Sequence, residues 1–390
     1  MRAAFIHDHN FVYNEVDGNY YDGSGGAFDE KLWNRYLETF ESLLVVGRRV
    51  SELPNKLVQS SANFVDFHLI ENASSFKNVL KNKSQIKKEI KSVLEEVDFA
   101  VIRLPSILGN WAFEICGQLQ KPYVLEVVGD PFEAYWHHGS VIGKIIAPLE
   151  RNRLRRMTKK ALNVIYVTQS KLQNKYPSFG NSCGISNVRL EEVVDYKTVS
   201  EFYTNETSIF KIGLIGSFHV NYKGHDEALK ALAYLVRKGY RSVELSFVGT
   251  GDAKWVAEIA RNYGVCDYVK IVGAVQAGKD GVIPYLDNLH LYIHPSKTEG
   301  LPRVILEAMS RGKMCLGSNV GGTDELLRPE FLHKAGDWRT LANQIESILK
   351  MGIDEQKGIA LNNLSLARKY LEVELQKKRT QFLTKAISNL

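Results

Sequence analysis

Two glutamates, Glu299 and Glu307, bracket a segment whose residue types could bind an anion. The segment reads EGLPRVILE, follows an apolar strand-like run and opens a helix at about Pro302. Glycine lets a ligand approach the backbone, and the unpaired N–H groups of a first helical turn favour phosphate. The residues alone leave a plainer alternative, because Glu307 could pair with Arg303 at i+4 and Glu299 could complement the helix dipole.

Lys223 stands directly before a second predicted helix, in FKIGLIGSFHVNYKGHDEALKALAYL. There a strand and a loop lead into a helix that starts near Asp226. A cation at this end opposes the positive pole of the helix dipole unless an anion lies between them. Lys223 is therefore a candidate phosphate ligand, with a solvated loop lysine as the alternative.

A glycine pair in VELSFVGTGD favours a different chemistry. Gly249 and Gly251 lie between a predicted strand and a predicted helix, as in a dinucleotide-binding turn. Lys254 stands where the third glycine of that fingerprint belongs, so the motif is incomplete. A nicotinamide-dependent oxidoreductase stays open as a weaker alternative.

The elements that must position these residues alternate between strand and helix along most of the chain. A length of 390 residues suggests two domains. The alternation predicts parallel sheets covered by helices on both faces, with ligands at the carboxyl ends of the strands. We expect an α/β protein of two doubly wound, Rossmann-like domains facing a cleft. The first domain would span residues 1–190 and the second 191–369, with a helix at about 370–390 packing back on the first domain.

The composition disfavours several classes of protein. Hydrophobic residues make up 44% and charged residues 24% of the chain, as in ordinary globular proteins. The N-terminal MRAAFIHDHN lacks the pattern of a secretory signal, and no apolar run reaches the ~18 residues of a membrane span. The four cysteines are scattered, which argues against a zinc site or a disulfide framework and fits a reducing cytoplasm.

Three motifs in the C-terminal half carry a family resemblance: IGSFHVNYKG, SFVGTG and PSKTEGLPRVILEAMSRGKMCLGSNVGGTDELL. They resemble the signatures of retaining glycosyltransferases of the GT-B fold, family four (glycosyl transferases group 1). The match runs from Phe210 to Leu327, whereas the N-terminal half agrees only in outline. The resemblance implies transfer of a sugar from a nucleotide-diphosphate donor, UDP- or GDP-linked, with retention of the anomeric configuration. It also implies that residues 1–190 bind the acceptor and residues 191–369 bind the donor.

The resemblance also assigns roles to the residues around the paired acids. Glu299 matches the acid near the reacting face of the donor sugar, and Glu307 matches the acid that hydrogen-bonds the ribose. Gly300 and Leu301 would supply backbone near the diphosphate, and Lys223 matches the diphosphate lysine.

Three further glycines are implied in donor binding. Gly25 and Gly26, in YYDGSGGAFDEKLW, resemble the loop of the first domain that closes over the phosphates, with a plain surface turn as the alternative. Gly273, after YVKIV, falls where the backbone of the family approaches the base.

Two departures from the family pattern stand out. Ser217 occupies the position of an arginine that usually partners the diphosphate lysine, and Arg103 or Arg303 could compensate for it. Asp130 stands near the place of an expected histidine and is our candidate on the acceptor side; His137 and His138 are alternates, and each could be an ordinary loop residue.

The expected activity is transfer to a saccharide or lipid-linked saccharide acceptor, in cell-surface polysaccharide synthesis. No acidic metal-binding cluster marks the diphosphate site in the sequence. We therefore expect no cofactor and no divalent metal, with Lys223 and helix N-termini stabilising the leaving phosphate. A catalytically silent nucleotide-sugar binding protein is the second alternative, favoured by Ser217 and the missing histidine.

Basic residues concentrate between residues 144 and 160, in a chain of net charge +6. The segment KIIAPLERNRLRRMTKK mixes cations with apolar residues, so it could face an anionic membrane, an anionic substrate or solvent. We expect a cytoplasmic protein that binds peripherally at the inner face of the plasma membrane. No recognised motif indicates nucleic-acid binding.

Overall fold

The chain folds into two compact units. The computed structural model describes residues 1–23, 28–51, 58–71, 76–136, 141–204, 208–276 and 278–388. Unit 1 comprises Met1–Ile185 and Gln376–Leu390, and unit 2 comprises Ser186–Leu375.

The strands of unit 1 are β1 (Arg2–Asn14), β2 (Asn19–Asp22), β3 (Ser42–Arg49), β4 (Val65–Ile70), β5 (Phe99–Leu104), β6 (Tyr123–Val127), β7 (Asn163–Tyr166) and β8 (Asn181–Gly184). Its helices are α1 (Glu30–Leu37), α2 (Phe76–Lys81), α3 (Lys83–Glu96), α4 (Ile107–Leu119), α5 (Pro131–Trp136), α6 (Val141–Lys160) and α7 (Lys171–Lys175). The strands form one sheet of order β4–β3–β1–β5–β6–β7–β8, parallel except for β2, which pairs antiparallel with β1.

The centre of this sheet is buried on both faces. The run from Ala3 to Ile6 in β1 has no exposed side-chain surface. Trp33 and Tyr36 of α1 lie close to Phe5 on one face, with ring centroids 5.4 and 5.3 Å away. Helices α3, α4 and α6 contribute to a second apolar cluster, which also contains Ile6 and side chains of the strands from β3 to β7. A continuous apolar run, rather than an alternating one, is typical of such a doubly covered parallel strand.

The strands of unit 2 are β9 (Phe210–Ile215), β10 (Val243–Val248), β11 (Val269–Gly273), β12 (Leu291–His294), β13 (Met314–Ser318) and β14 (Leu332–His333). Its helices are α8 (Tyr196–Thr204), α9 (His225–Arg237), α10 (Lys254–Tyr263), α11 (Val282–Asp287), α12 (Arg303–Ser310), α13 (Trp338–Lys350) and α14 (Ile353–Arg368). The described strands form one parallel sheet of order β11–β10–β9–β12–β13–β14. The prediction of two doubly wound parallel sheets is thus confirmed.

The last helix, α15 (Glu372–Ser388), runs through the end of the described chain. From Gln376 onward it belongs to unit 1. The side-chain amide of Gln376 donates to the carbonyl of Arg35 at 3.0 Å, and the Thr380 hydroxyl donates to Glu38 at 3.0 Å. These bonds attach α15 to α1. Within the described ranges, no helix is both long enough and apolar enough to cross a membrane.

Candidate active site

The switch point of the unit 2 sheet lies between β9 and β12. The chain leaves β9 toward β10 on one side and leaves β12 toward β13 on the other, while β9 and β12 are neighbours. Loops that leave two adjacent parallel strands in opposite directions form a crevice in which ligands of such sheets bind. The loop after β9 carries Ser217 and Lys223, and the loop after β12 carries Glu299.

Lys223 and Glu299 meet at this point. The Nζ atom of Lys223 lies 2.7 Å from Oε1 of Glu299, and both side chains are largely buried. The same Oε1 accepts a hydrogen bond from Nε2 of His294 at 2.8 Å. No described residue donates a hydrogen bond to Oε2, so one oxygen of Glu299 is fixed by the protein and the other is available to a ligand.

His294 is braced in turn by Tyr292. The Tyr292 hydroxyl lies 3.0 Å from Nδ1 of His294. Burial raises the pKa of Tyr292 well above its ordinary value, so the phenol keeps its proton and hydrogen-bonds the ring of His294. Because an ionised carboxylate can only accept, the N–H at Nε2 is the donor in the hydrogen bond to Glu299. His294 therefore orients one carboxylate oxygen of Glu299.

Opposing effects set the ionisation of Glu299. Burial raises its pKa, while the hydrogen bonds and charges of His294 and Lys223 lower it, to about 2. Glu299 is therefore ionised throughout the neutral range and cannot act there as a proton donor. It can instead accept hydrogen bonds from sugar hydroxyls or stabilise positive charge at a reacting carbon.

The two loops are held together by close backbone approach. Gly224 has a φ of +83°, and a Cβ there would lie 2.2 Å from the carbonyl oxygen of Pro295. The Lys297 N–H donates to the carbonyl of Tyr222 at 2.7 Å. Glycine is thus needed at 224 for both its conformation and its lack of a side chain.

The helix after Gly300 also presents donors to the site. It begins at Arg303 rather than at the predicted Pro302, because the ψ of 101° at Pro302 lies outside the helical range. No described side chain caps its N-terminus. The Gly300 carbonyl accepts from Gly322 N–H at 2.6 Å, which ties the loop that contains Leu301 to the turn after β13. First-turn N–H groups of α12 therefore remain available to a phosphate.

Glu307 lies one turn inside α12 and is largely desolvated. Burial raises its pKa, and the charge of Arg303 lowers it only in part. Glu307 and Arg303, both described, do not form an ion pair. The alternative that Glu307 serves only as the i+4 partner of Arg303 therefore does not hold. A desolvated carboxylate without a protein hydrogen bond is suited to a ligand hydroxyl.

Ser217 follows β9 and Gly273 ends β11, the two strands that flank β10 in the sheet. The Ser217 hydroxyl donates to the carbonyl of Thr250 at 3.3 Å. Gly273 has a φ of +83°, and its carbonyl accepts from Gly249 N–H at 2.9 Å. A Cβ at Gly249 would lie 2.0 Å from the carbonyl of Gly216. The glycine at 249 is therefore explained by the packing of two loops, without a dinucleotide.

Asp130, the acceptor-side candidate, lies in unit 1 at the start of α5. Its Oδ2 pairs with Lys175 at 2.7 Å, and its Oδ1 accepts from the Phe132 N–H at 2.9 Å and from the Tyr176 hydroxyl. These contacts join α5 to α7 and engage both oxygens. A role in binding the acceptor stays a prediction.

Several other residues that the sequence predicts for the site make no contact with Lys223 or Glu299 in the described part of the structure. Arg103 in β5 lies over the ring of Phe28, with 5.2 Å from its guanidinium carbon to the ring centroid. The glycine loop residues Gly25 and Gly26, and the alternates His137 and His138, fall outside the described residues. In the described chain, no group of three or more His, Cys, Asp or Glu side chains is placed to hold a metal ion.

Comparison with known proteins places these observations in a family. Residues 209–351 match the model of glycosyl transferases group 1. Protein CapJ of Staphylococcus aureus is 35% identical over 396 residues, which cover 100% of this chain and 97% of the relative. The chain belongs to the glycosyl transferases group 1. A second relative of this glycosyltransferase is the capsular polysaccharide biosynthesis glycosyltransferase CapH of Staphylococcus aureus, 23% identical over 48% of this chain and 49% of the relative.

The glycosyltransferase also resembles solved structures over its whole length. Anabaena Alr3699/HepE, crystallised in complex with UDP, superimposes with a TM-score of 0.68 at 17% identity and covers 100% of both chains. With the two parallel sheets described above, this likeness confirms the predicted GT-B fold. The Lys223–Glu299 contact thus lies in the unit that carries the family match.

His294 and Tyr292 were missed by sequence reasoning. We expect His294→Ala to lower kcat/KM about ten- to a hundredfold, since it removes one charge-assisted hydrogen bond to Glu299. The pKa of Glu299 should rise, because burial is then opposed by Lys223 alone. At pH above the ordinary carboxyl pKa, the lowered pKa stabilises the fold, and this contribution is lost as pH falls toward 2. The variant should therefore unfold in acid at a higher pH than the parent.

The matched control for this variant is His333→Ala. His333 is buried to the same extent in the same unit and contacts Gln344 at 3.1 Å. Acid unfolding followed by circular dichroism, together with steady-state turnover, separates the two. If both variants lose activity equally, His294 is only a packing residue.

Proposed function

We propose that this glycosyltransferase is a retaining enzyme of family four. It moves a sugar from a nucleotide-diphosphate donor to a saccharide or lipid-linked saccharide acceptor in cell-surface polysaccharide synthesis. The observation that carries the proposal is the contact of Lys223 with Glu299 at the switch point of the unit 2 sheet. The capsular polysaccharide relative supports the pathway class. The complexes of HepE with UDP and with UDP-glucose support a UDP-linked donor over a GDP-linked one.

The anionic diphosphate is bound by positive charge and by backbone donors. Lys223 has three N–H donors and uses one on Glu299, so two remain for phosphate oxygens. The first-turn N–H groups of α12, and the backbone at Gly300 and Leu301, provide further donors. Ser217 offers a hydroxyl in place of a second cation. The group of donors neutralises the leaving phosphate without a metal ion.

Retention follows from a displacement on one face of the sugar. The bond from the anomeric carbon to the phosphate oxygen breaks as the acceptor oxygen approaches the same face. The leaving phosphate takes the proton of the acceptor hydroxyl, while Lys223 and the helix N–H groups stabilise the charge that grows on it. Glu299, which is held ionised, binds sugar hydroxyls through Oε2 and stabilises the positive charge that develops at the anomeric carbon.

The test is release of nucleoside diphosphate from a panel of nucleotide sugars, with and without saccharide acceptors. Turnover with one donor, and a product whose anomeric configuration by NMR equals that of the donor, would support the proposal. Slow hydrolysis of the donor alone would exclude a catalytically silent binding protein. Absence of turnover, combined with binding of a nicotinamide cofactor, would favour the oxidoreductase alternative instead.

The assignment of Glu307 to the ribose makes a separate prediction. Glu307→Ala should weaken binding of UDP by about 1–3 kcal/mol, because a hydrogen bond to a charged group is lost. The variant should be no less stable than the parent, since the carboxylate is desolvated without a protein hydrogen-bond partner in the described chain. Calorimetry with UDP measures the first effect and thermal unfolding the second. Glu258→Ala, which changes an exposed helical glutamate of the same unit, is the control; equal affinities of both variants would reject the ribose role.

A further inference from the structure

Helix α6 of unit 1 carries aliphatic side chains that face solvent. Ile142 is 67%, Ile145 63% and Leu149 62% exposed. Their spacing of three and four residues places them on one line along the helix surface. Single exposed aliphatics are common, but three on one line form an apolar stripe that calls for a partner.

The same line continues as a row of cations. Arg153, Arg156 and Lys160 follow Leu149 at intervals of four, three and four residues, and all three are exposed. Only Arg153 among them has an acidic partner in the described chain, Glu150 at 2.5 Å. Because α6 has 20 residues, it is about 30 Å long. One face of the helix is therefore apolar over its first half and basic over its second.

The opposite face of α6 is anchored in the core of unit 1. Leu154 and Met157 of α6, and Ala161 directly after the helix, are buried and belong to the apolar cluster on one face of the sheet. Rotating α6 to hide the stripe would expose these buried residues to water, which opposes the rotation. The stripe is thus presented in a fixed orientation.

The stripe has flanking groups that suit an interface between water and hydrocarbon. Trp136, at the end of α5, is 43% exposed, and Nζ of Lys144 lies 5.9 Å from the centroid of its ring. Tryptophan favours the headgroup level of a bilayer, and lysine can extend its ammonium toward lipid phosphates. Further exposed cations on α6 are Arg151, Arg155 and Lys159.

We infer that α6 docks unit 1 on an anionic lipid bilayer. Ile142, Ile145 and Leu149 enter the boundary between headgroups and acyl chains, and Arg153, Arg156 and Lys160 bind lipid phosphates. The sequence predicts electrostatic attraction alone, whereas the structure adds an apolar component on the same face. A bilayer requires both at once, because insertion of aliphatics and attraction of cations act at the same surface. A nucleic acid would leave the aliphatic half unused.

The inference concerns unit 1 and does not depend on sugar transfer. Its test is sedimentation of the protein, without donor or acceptor, with vesicles of phosphatidylcholine alone or with about a quarter phosphatidylglycerol. We expect binding to the anionic vesicles to exceed binding to the neutral ones. High salt should weaken it without abolishing it, since only the electrostatic part is screened.

Two triple variants separate the components. Replacing Arg153, Arg156 and Lys160 by Gln should lower binding to anionic vesicles about a hundredfold, at about fivefold per cation, and weaken its salt dependence. Replacing Ile142, Ile145 and Leu149 by Ser should lower it at least about tenfold and remove the part that survives high salt.

Matched controls change groups of similar exposure elsewhere. Ile353→Ser with Val373→Ser replaces aliphatics that are 52% and 67% exposed, and Lys197→Gln with Lys254→Gln and Lys350→Gln removes three exposed cations. Vesicle binding of both controls should equal that of the parent. Equal binding of parent and triple variants, or equal binding to neutral and anionic vesicles, would overturn the inference. So would self-association in solution that the Ser variant abolishes while no vesicle binding occurs.

Discussion

Glu299→Gln is expected to lower kcat by several orders of magnitude while UDP still binds with nearly the affinity of the parent. Glutamine keeps the shape of the side chain and one acceptor oxygen for His294 and Lys223. It loses the negative charge that would stabilise the reacting sugar in the transition state. An interaction made mainly in the transition state changes kcat more than ground-state binding. Turnover and calorimetry with UDP, on the same preparation, measure both quantities.

The chain offers a close control for that variant in Glu346→Gln. Glu346 has an exposed side-chain fraction of 12%, against 13% for Glu299, and it also pairs with a lysine, Lys238, at 2.7 Å. It lies on α13, away from the switch point. A similar loss of turnover in both variants would show that any buried lysine-paired glutamate matters for folding. Unchanged turnover in Glu299→Gln would remove Glu299 from the mechanism.

Lys223→Ala is expected to weaken donor binding about ten- to a hundredfold, because a charge-assisted hydrogen bond contributes ~1.5–3 kcal/mol. The loss in kcat/KM should be larger, since negative charge grows on the phosphate as the bond breaks. Ser217 makes the effect large, because the cation that the family usually places there is missing. Donor affinity and steady-state turnover at one ionic strength test the prediction, with Lys238→Ala as the control.

Part of the Lys223→Ala effect would come from Glu299, which would keep only His294 as a partner. A double-mutant cycle with Glu299→Gln separates the two contributions. If Lys223 acts on the phosphate, Lys223→Ala should lower UDP affinity by the same factor in the parent and in the Glu299→Gln variant. A fall that appears only when Glu299 is present would mean that Lys223 serves to neutralise that carboxylate and does not touch the diphosphate.

The sequence predicts the architecture well because buried parallel strands consist of continuous apolar runs. Ala3–Ile6 of β1 is such a run, and so is Leu291–Ile293 of β12. The residues predicted to bind the anion also carry local signals, since Lys223 and Gly300 each lie shortly before a helix. These signals concern single elements and their ends, for which short-range physics suffices.

Contacts between distant elements are harder to predict. Lys223 and Glu299 are 76 residues apart, and their contact depends on β9 and β12 being neighbours in the sheet. His294 was missed because a histidine at the end of an apolar strand resembles an ordinary core residue. A usable signal was present, since Tyr292 and His294 are two residues apart and therefore lie on the same face of the strand, shortly before Glu299. For Asp130 the sequence indicates an acceptor-side role but does not reveal its partners. Lys175 and Tyr176, at the end of α7, lie more than 40 residues further along the chain.

The close approach of Gly224 to Pro295 has a consequence for engineering donor preference. The loop after β9 can be exchanged for that of a relative only if the new backbone still fits against the loop after β12. The hydrogen bond from Lys297 to Tyr222 sets the same condition for an exchange of the loop after β12. In a chimera that receives only one of the loops, the backbones of the two loops would clash or leave a gap between them. The smallest transferable module for redesigning the proposed donor site is therefore the pair of loops, moved together from one parent.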